Sequence, residues 1–429
     1  MNGSCYRLLV TGPSGSGKTT LSSLLTASLR CAGWDVRLVQ QDNFFATGRA
    51  PSYWGQENKD SNTSGCRTHA GCNRDGNVNA IESHSQTAPA AVKMPEFVAA
   101  IKAASEGVKV GRGQSPTLLL VEGFLLLQEP AIVAMADGVI FISAQGEVCL
   151  SRRLSRSHRT EHENEGCKVY WHEHVWPSFL SITRPALLQL LATAPPSEDA
   201  PAMDEEDSWP PPPALYFSTS PTLVLNGEAP LDKVLQRALG AFSTLFDLNS
   251  PYDWMGGVAA DAAEVAAKEY AALCVALHTA NWSQLGALLP ALVAVDDPTH
   301  RARLGLGLVP LATVALRKAL VACGEAFDWR GDPVATDAQA SSTAVASGAH
   351  VEASGNERAA GLPPQLHKPI MLICRVLRNA CTYMEELGVQ AALRSHGTPM
   401  LLQRLLDVGC NKAADVITDI EALLVACRE

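Results

Sequence analysis

Apolar and polar positions along this chain follow two regimes. In the first, Tyr6 to Thr11 is a short β-rich run, and Gly12 to Gly17 is rich in glycine and serine. Lys18 to Arg30 carries Leu21, Leu24, Leu25 and Leu29 at helical spacing, and Asp35 to Gln41 holds Val36, Leu38 and Val39. This pattern predicts strand, loop, helix and strand, the start of a βαβ arrangement. Residues 46–90 break it with Asn, Ser, Gly and Thr and predict a surface insertion. Order returns at Met94-Pro95-Glu96-Phe97, which opens a helix to about Ala104. Thr117 to Val121 is continuously apolar and ends at Glu122, as a strand buried on both faces would. Gly138 to Ser143 reads the same way. Arg152 to Arg159 predicts a basic helix or lid, and 195–214, with acids and Pro210 to Pro213, a surface loop. Thr222 to Leu225 predicts a last strand and Leu231 to Leu245 a closing helix.

After about residue 250 the chain becomes rich in Ala and Leu, with helical periodicity and no strand signal. A second low-complexity insertion occupies 331–362. The layout predicts an α/β domain over 1–248 and an all-α domain over 249–429. Within the latter, Leu377 to Cys381 (LRNAC), a break at Gly388, and Leu401-Leu402 with Leu405-Leu406 resemble an armadillo-type repeat. Leu288–Val295 and Leu304–Leu320 are candidates for others. An irregular helical bundle is the alternative. Neither supplies catalytic residues; a solenoid would offer a surface to a protein partner or to a second copy.

Composition narrows the function. Of the 429 residues, 47% are hydrophobic and 18% charged, enough apolar content for sizeable cores. A net charge of −10 argues against a broadly basic nucleic-acid surface. No uninterrupted apolar run reaches the roughly 20 residues of a membrane span, and Leu8-Leu9-Val10 is too short for a secretory signal. The 12 cysteines are scattered, which predicts reduced thiols and a cytoplasmic protein. Cys66, His69 and Cys72 lack a second ligand pair and are not taken as a zinc site.

The chemistry concentrates at the ends of predicted strands. Gly12-Pro13-Ser14-Gly15-Ser16-Gly17-Lys18-Thr19 matches G-x-x-x-x-G-K-[ST], with a strand before it and a helix after. Such a loop turns backbone N–H groups of Gly12, Ser14, Gly15, Ser16, Gly17, Lys18, Thr19 and Thr20 towards a phosphate at a helix N-terminus. Lys18 can bridge β- and γ-phosphates, and Thr19 can hold Mg²⁺. No guanine-reading N-K-x-D follows, which favours a small-molecule kinase using ATP. Asp42 ends the second strand, where a carboxylate can take or orient the proton of an acceptor hydroxyl. Glu122 ends a buried strand, where an acid can stand near the metal.

At these residues the sequence resembles the nicotinamide riboside kinases, within the uridine kinase-like P-loop kinases. The carrying segments are Gly12–Thr20 (GPSGSGKTT), Gln41–Phe45 (QDNFF), Leu120–Leu126 (LVEGFLL), Cys149–Arg156 (CLSRRLSR) and His174–Pro177 (HVWP). The resemblance covers about 5–245, without 46–90. It implies a parallel sheet flanked by helices, MgATP as donor, and phosphorylation of the 5′-hydroxyl of nicotinamide riboside to nicotinamide mononucleotide for NAD synthesis. It implies Asp42 as base, Lys18 and Thr19 as phosphate and Mg²⁺ residues, and Glu122 as the acid near metal and acceptor. Arg153 would bind ribose hydroxyls, Arg152 and Arg156 would face the phosphates, and Phe45 would lie by the base. Two positions depart from the family. Its ribose-binding Asp has no match at Ser85 to Ala90, leaving Thr87, Asp75 or Glu82 as stand-ins, and His158 replaces a ring-stacking Tyr. A uridine or cytidine kinase is the runner-up. A nucleotide-binding armadillo scaffold without turnover is the alternative of a different class. Neither nucleic acid nor membrane is expected as a partner.

Overall fold

The computed structural model describes residues 5–45, 92–106, 116–155, 161–192, 209–211, 213–216, 221–246, 260–324, 362–381, 388–407 and 414–428. Both predicted insertions fall outside these residues save for Leu362, as do Arg156, His158, Asp75, Glu82, Thr87 and the Cys66–Cys72 stretch. The chain divides into two compact units. The first is Met1–Ser22 with Trp34–Gly257, and the second is Ser23–Gly33 with Val258–Glu429.

The first unit is built on a six-stranded sheet of order β2-β3-β1-β4-β6-β5. β1 is Cys5–Thr11, β2 Asp35–Gln40, β3 Thr117–Glu122, β4 Gly138–Ser143, β5 Leu215–Tyr216 and β6 Thr222–Asn226. All described pairings are parallel except β5 against β6. Every residue of β3 and β4 is buried, as their unbroken apolar runs require of strands covered on both faces. α1 (Lys18–Cys31) follows β1, with Leu21, Leu24, Leu25 and Leu29 all buried. α2 (Met94–Glu106) packs Phe97 and Ile101 into a cluster with Leu9, Leu119, Val121 and Phe141. In register, Val10 and Gln40 both stand beside Glu122, so the carboxyl ends of three strands meet at that residue.

The region after β4 differs from the sequence expectation. The helix there, α3, is Gly146–Leu154, with its arginines in the last turn. Trp209, expected in a surface loop, instead packs edge-on against Phe141 and donates from Nε1 to the carbonyl of Ala144 at 3.0 Å. Residues 161–192 form a long helical stretch with π turns at Trp171–Val175 and Phe179–Thr183. Seven of its buried residues, Cys167, Trp171, Val175, Phe179, Thr183, Leu187 and Leu191, recur at every fourth position, with Tyr170 buried beside them. An α-helix has 3.6 residues per turn, so a four-residue stripe drifts by ~40° per step. The wider π turns take up that drift and keep the stripe on the core.

The second unit is helical: α4 (Ala260–Thr279), α5 (Trp282–Val293), α6 (Pro298–Ala322), α7 (Pro364–Cys381), α8 (Val389–Ser395), α9 (Thr398–Asp407) and α10 (Ala414–Arg428). Asp297 caps α6 and Asn281 caps α5 through their side-chain oxygens. By length and composition α6 could cross a membrane, although it holds no unbroken apolar run of that length. Some 67% of its most apolar window is buried inside the protein, as in a core helix. Asp419 is buried and accepts from both Arg375 at 2.7 Å and Arg378 at 3.2 Å, joining α10 to α7.

Ser23–Gly33, the later turns of α1, groups with these helices. Gly307 of α6 leaves no room for a side chain there: a Cβ would meet Cys31 Sγ at 2.6 Å and the Ala27 carbonyl at 2.8 Å. The Cys31 thiol hydrogen-bonds with Cys274, and this contact and burial push its pKa up. A chain cut after Leu248 would strip this part of α1 of the residues it clusters with. Such a fragment is expected to be poorly soluble and to melt well below the full chain. A soluble, cooperatively melting 1–248 fragment would contradict this.

Candidate active site

The phosphate loop joins β1 to α1. Gly12, Gly15 and Gly17 have φ of 144°, 87° and 106°, conformations open to glycine and strained for other residues. Ser16 N–H donates to the Pro13 carbonyl at 3.1 Å and closes the turn. Ser14 is half-buried, Ser16 buried and Thr20 half-buried on the first helical turn. Lys18 is 7% exposed, and its Nζ donates to the Pro13 carbonyl at 2.8 Å. The cation is thus held inside the loop's curve.

Glu122 is buried at the end of β3 and accepts two hydrogen bonds. Thr19 Oγ1 donates to its Oε1 at 2.9 Å, and Gln40 Nε2 donates to its Oε2 at 2.9 Å. The first contact joins the loop's hydroxyl to the strand-end acid, two hard oxygen donors of the kind Mg²⁺ takes. The residues present therefore fit that ion. Asp42 lies on a short 3₁₀ turn, Gln41–Phe44, that continues directly from Gln40, and its side chain is exposed. An exposed carboxylate two residues from Gln40, the partner of Glu122, is open to a substrate hydroxyl.

Phe45 follows, half-buried, and its ring stacks on that of Phe124 at 6.2 Å and 27°. Phe44 turns the other way, against Phe97.

The two described arginines of the basic segment do different work. Arg152 donates to the carbonyls of Ser16 at 3.3 Å and Gly227 at 2.7 Å, bracing the loop against the end of β6. Arg153 donates to Ser14 Oγ at 2.7 Å and so stands at the phosphate loop itself. Trp176 of the VWP segment stacks between Trp171 and Phe179 and is core support. Sequence reasoning missed Gln40, Gln41 and Thr183. The signal for Gln40 and Gln41 was a pair of polar residues where β2 ends, and none marked Thr183.

Two comparisons bear on these residues. The family model described as Phosphoribulokinase / Uridine kinase family matches residues 8–189. A uridine kinase of Saccharomyces cerevisiae is 23% identical over 199 residues, covering 45% of this chain. The match spans 37% of that relative's length. The loop, the strand-end acid and the matched segment together support one conclusion: the first unit carries a P-loop kinase domain similar to the uridine kinases.

Proposed function

We propose that this chain transfers the γ-phosphoryl group of ATP to the 5′-hydroxyl of a ribonucleoside, with nicotinamide riboside as the favoured acceptor. The observation that carries the reading is the Thr19–Glu122–Gln40 chain beside a complete phosphate loop, with the Asp42 turn leading out of it. Asp42 accepts or orients the proton of the attacking hydroxyl. Lys18 moves from the Pro13 carbonyl to the β- and γ-phosphate oxygens. Thr19 and Glu122 would hold Mg²⁺, which when bound offsets phosphate charge. Arg153, against Ser14, adds charge at the phosphates in this reading rather than binding ribose; Arg152 holds the loop in shape. The EGFLL strand end favours nicotinamide riboside. The yeast relative favours the second reading, a uridine or cytidine kinase.

We place the reaction in the cytoplasm. The helical unit, read as armadillo-like, serves as a surface for a protein partner or a second copy. The test is single-turnover transfer from MgATP with nicotinamide riboside, uridine and cytidine. The expected result is fastest transfer to nicotinamide riboside. Faster transfer to uridine or cytidine would establish the second reading. ATP binding without transfer to any of the three would leave a scaffold.

A further inference from the structure

We infer that Phe124 is a specificity-determining residue of this site: its ring and that of Phe45 form the platform on which the acceptor's base stacks, and Gln41 and Thr183 hold it there. The inference rests on the nucleoside kinase reading above and deepens it.

Phe124 lies two residues past Glu122, on the turn that leaves β3 at the crevice. Its ring and the ring of Phe45 are nearly parallel, and both residues are half-buried, so aromatic surface remains for a ligand. The backbone of Phe124 is gripped from two sides. Gln41 is fully buried, and its Oε1 accepts from the N–H groups of Phe124 at 3.0 Å and Leu125 at 3.1 Å. Thr183, 2% exposed on the second π turn, donates from Oγ1 to the Phe124 carbonyl at 3.3 Å and accepts from Gln128 Nε2 at 3.2 Å. Buried polar groups are costly unless satisfied. Here Gln41 Oε1 and Thr183 Oγ1 are satisfied by the main chain of Phe124 and Leu125 and by Gln128, from the turn that carries Asp42 on one side and the long helical stretch on the other, while Gln41 Nε2 and Gln128 Oε1 are buried without a partner. Such a grip fixes the ring relative to both Asp42 and Glu122.

Gln41 Oε1, Thr183 Oγ1 and Gln128 Nε2 are committed to the protein, and what the two rings themselves offer the base is flat aromatic surface. Stacking accepts any aromatic base. A ring with a fixed positive charge gains cation–π attraction as well. The platform therefore attracts a flat, cationic base more strongly than neutral uracil.

The experiment measures KM and kcat for nicotinamide riboside, uridine and ATP on the full chain, together with calorimetric nucleoside binding, which needs no turnover. Phe124→Ala should weaken nicotinamide riboside about tenfold or more, in KM and in direct binding, with ATP KM unchanged. Phe124→Trp should restore it. Phe124→Leu, which keeps apolar bulk without a π face, should resemble Phe124→Ala. Thr183→Val, nearly the same shape without the donor, should raise nucleoside KM several-fold and leave ATP KM alone. Rescue by Phe124→Leu, or unchanged nucleoside binding in Phe124→Ala while wild type phosphorylates nucleosides, would overturn the platform and leave the kinase reading intact. A wild-type chain that neither binds nor phosphorylates any nucleoside would overturn both.

Discussion

Lys18→Ala is expected to lower kcat/KM for phosphoryl transfer on the order of 10³-fold or more, the scale of removing a preorganised group that meets transition-state charge. The ammonium is buried inside the loop and bonded to the Pro13 carbonyl, so no long side-chain search precedes its contact with phosphate. Alanine removes that charge and leaves one carbonyl short of a donor. The change in folding stability should be small beside the change in rate. Lys18→Arg should rescue poorly, because a planar guanidinium does not fill the place of a compact ammonium. Turnover, ATP binding and thermal melting on the same samples check this. Near-normal turnover in Lys18→Ala would remove the loop from the chemistry.

Asp42→Asn is expected to reduce kcat by about 10²–10⁴-fold, the range for general acid–base help, while ATP affinity stays near wild type. The substitution is close to isosteric, and Asp42 is exposed on its 3₁₀ turn, so folding should not confound the result. Asparagine can still accept a hydrogen bond from the substrate hydroxyl but cannot take its proton. The loss should therefore fall on kcat more than on nucleoside KM. A variant that turns over like wild type would move the base elsewhere.

The parts of this fold that were legible in the sequence are those whose signal is local. The phosphate loop is a contiguous motif, and β3 and β4 are apolar without a break because both faces are covered. Gln40 and Gln41 were not legible, because their partners Glu122, Phe124 and Leu125 lie on another strand and its turn. Arg152 and Arg153 are adjacent and chemically alike, and only their directions separate a brace from a phosphate-loop contact. The stretch 161–192 was missed because its stripe repeats every four residues, which no regular helix presents on one face. The grouping of Ser23–Gly33 with the helical residues is a long-range fact that no window of sequence contains.

That grouping has a consequence for how the protein is made. The later turns of α1 leave the ribosome well before Cys274 and Gly307, which they meet and which emerge far downstream. At about 5–20 residues per second the interval is on the order of tens of seconds. Throughout it, the Ala27–Cys31 face stays uncovered. Newborn chains should accordingly lean on chaperones. Slowing translation downstream of residue 250 should lower the yield of active protein, where for a domain that folds before those residues emerge it would do no harm.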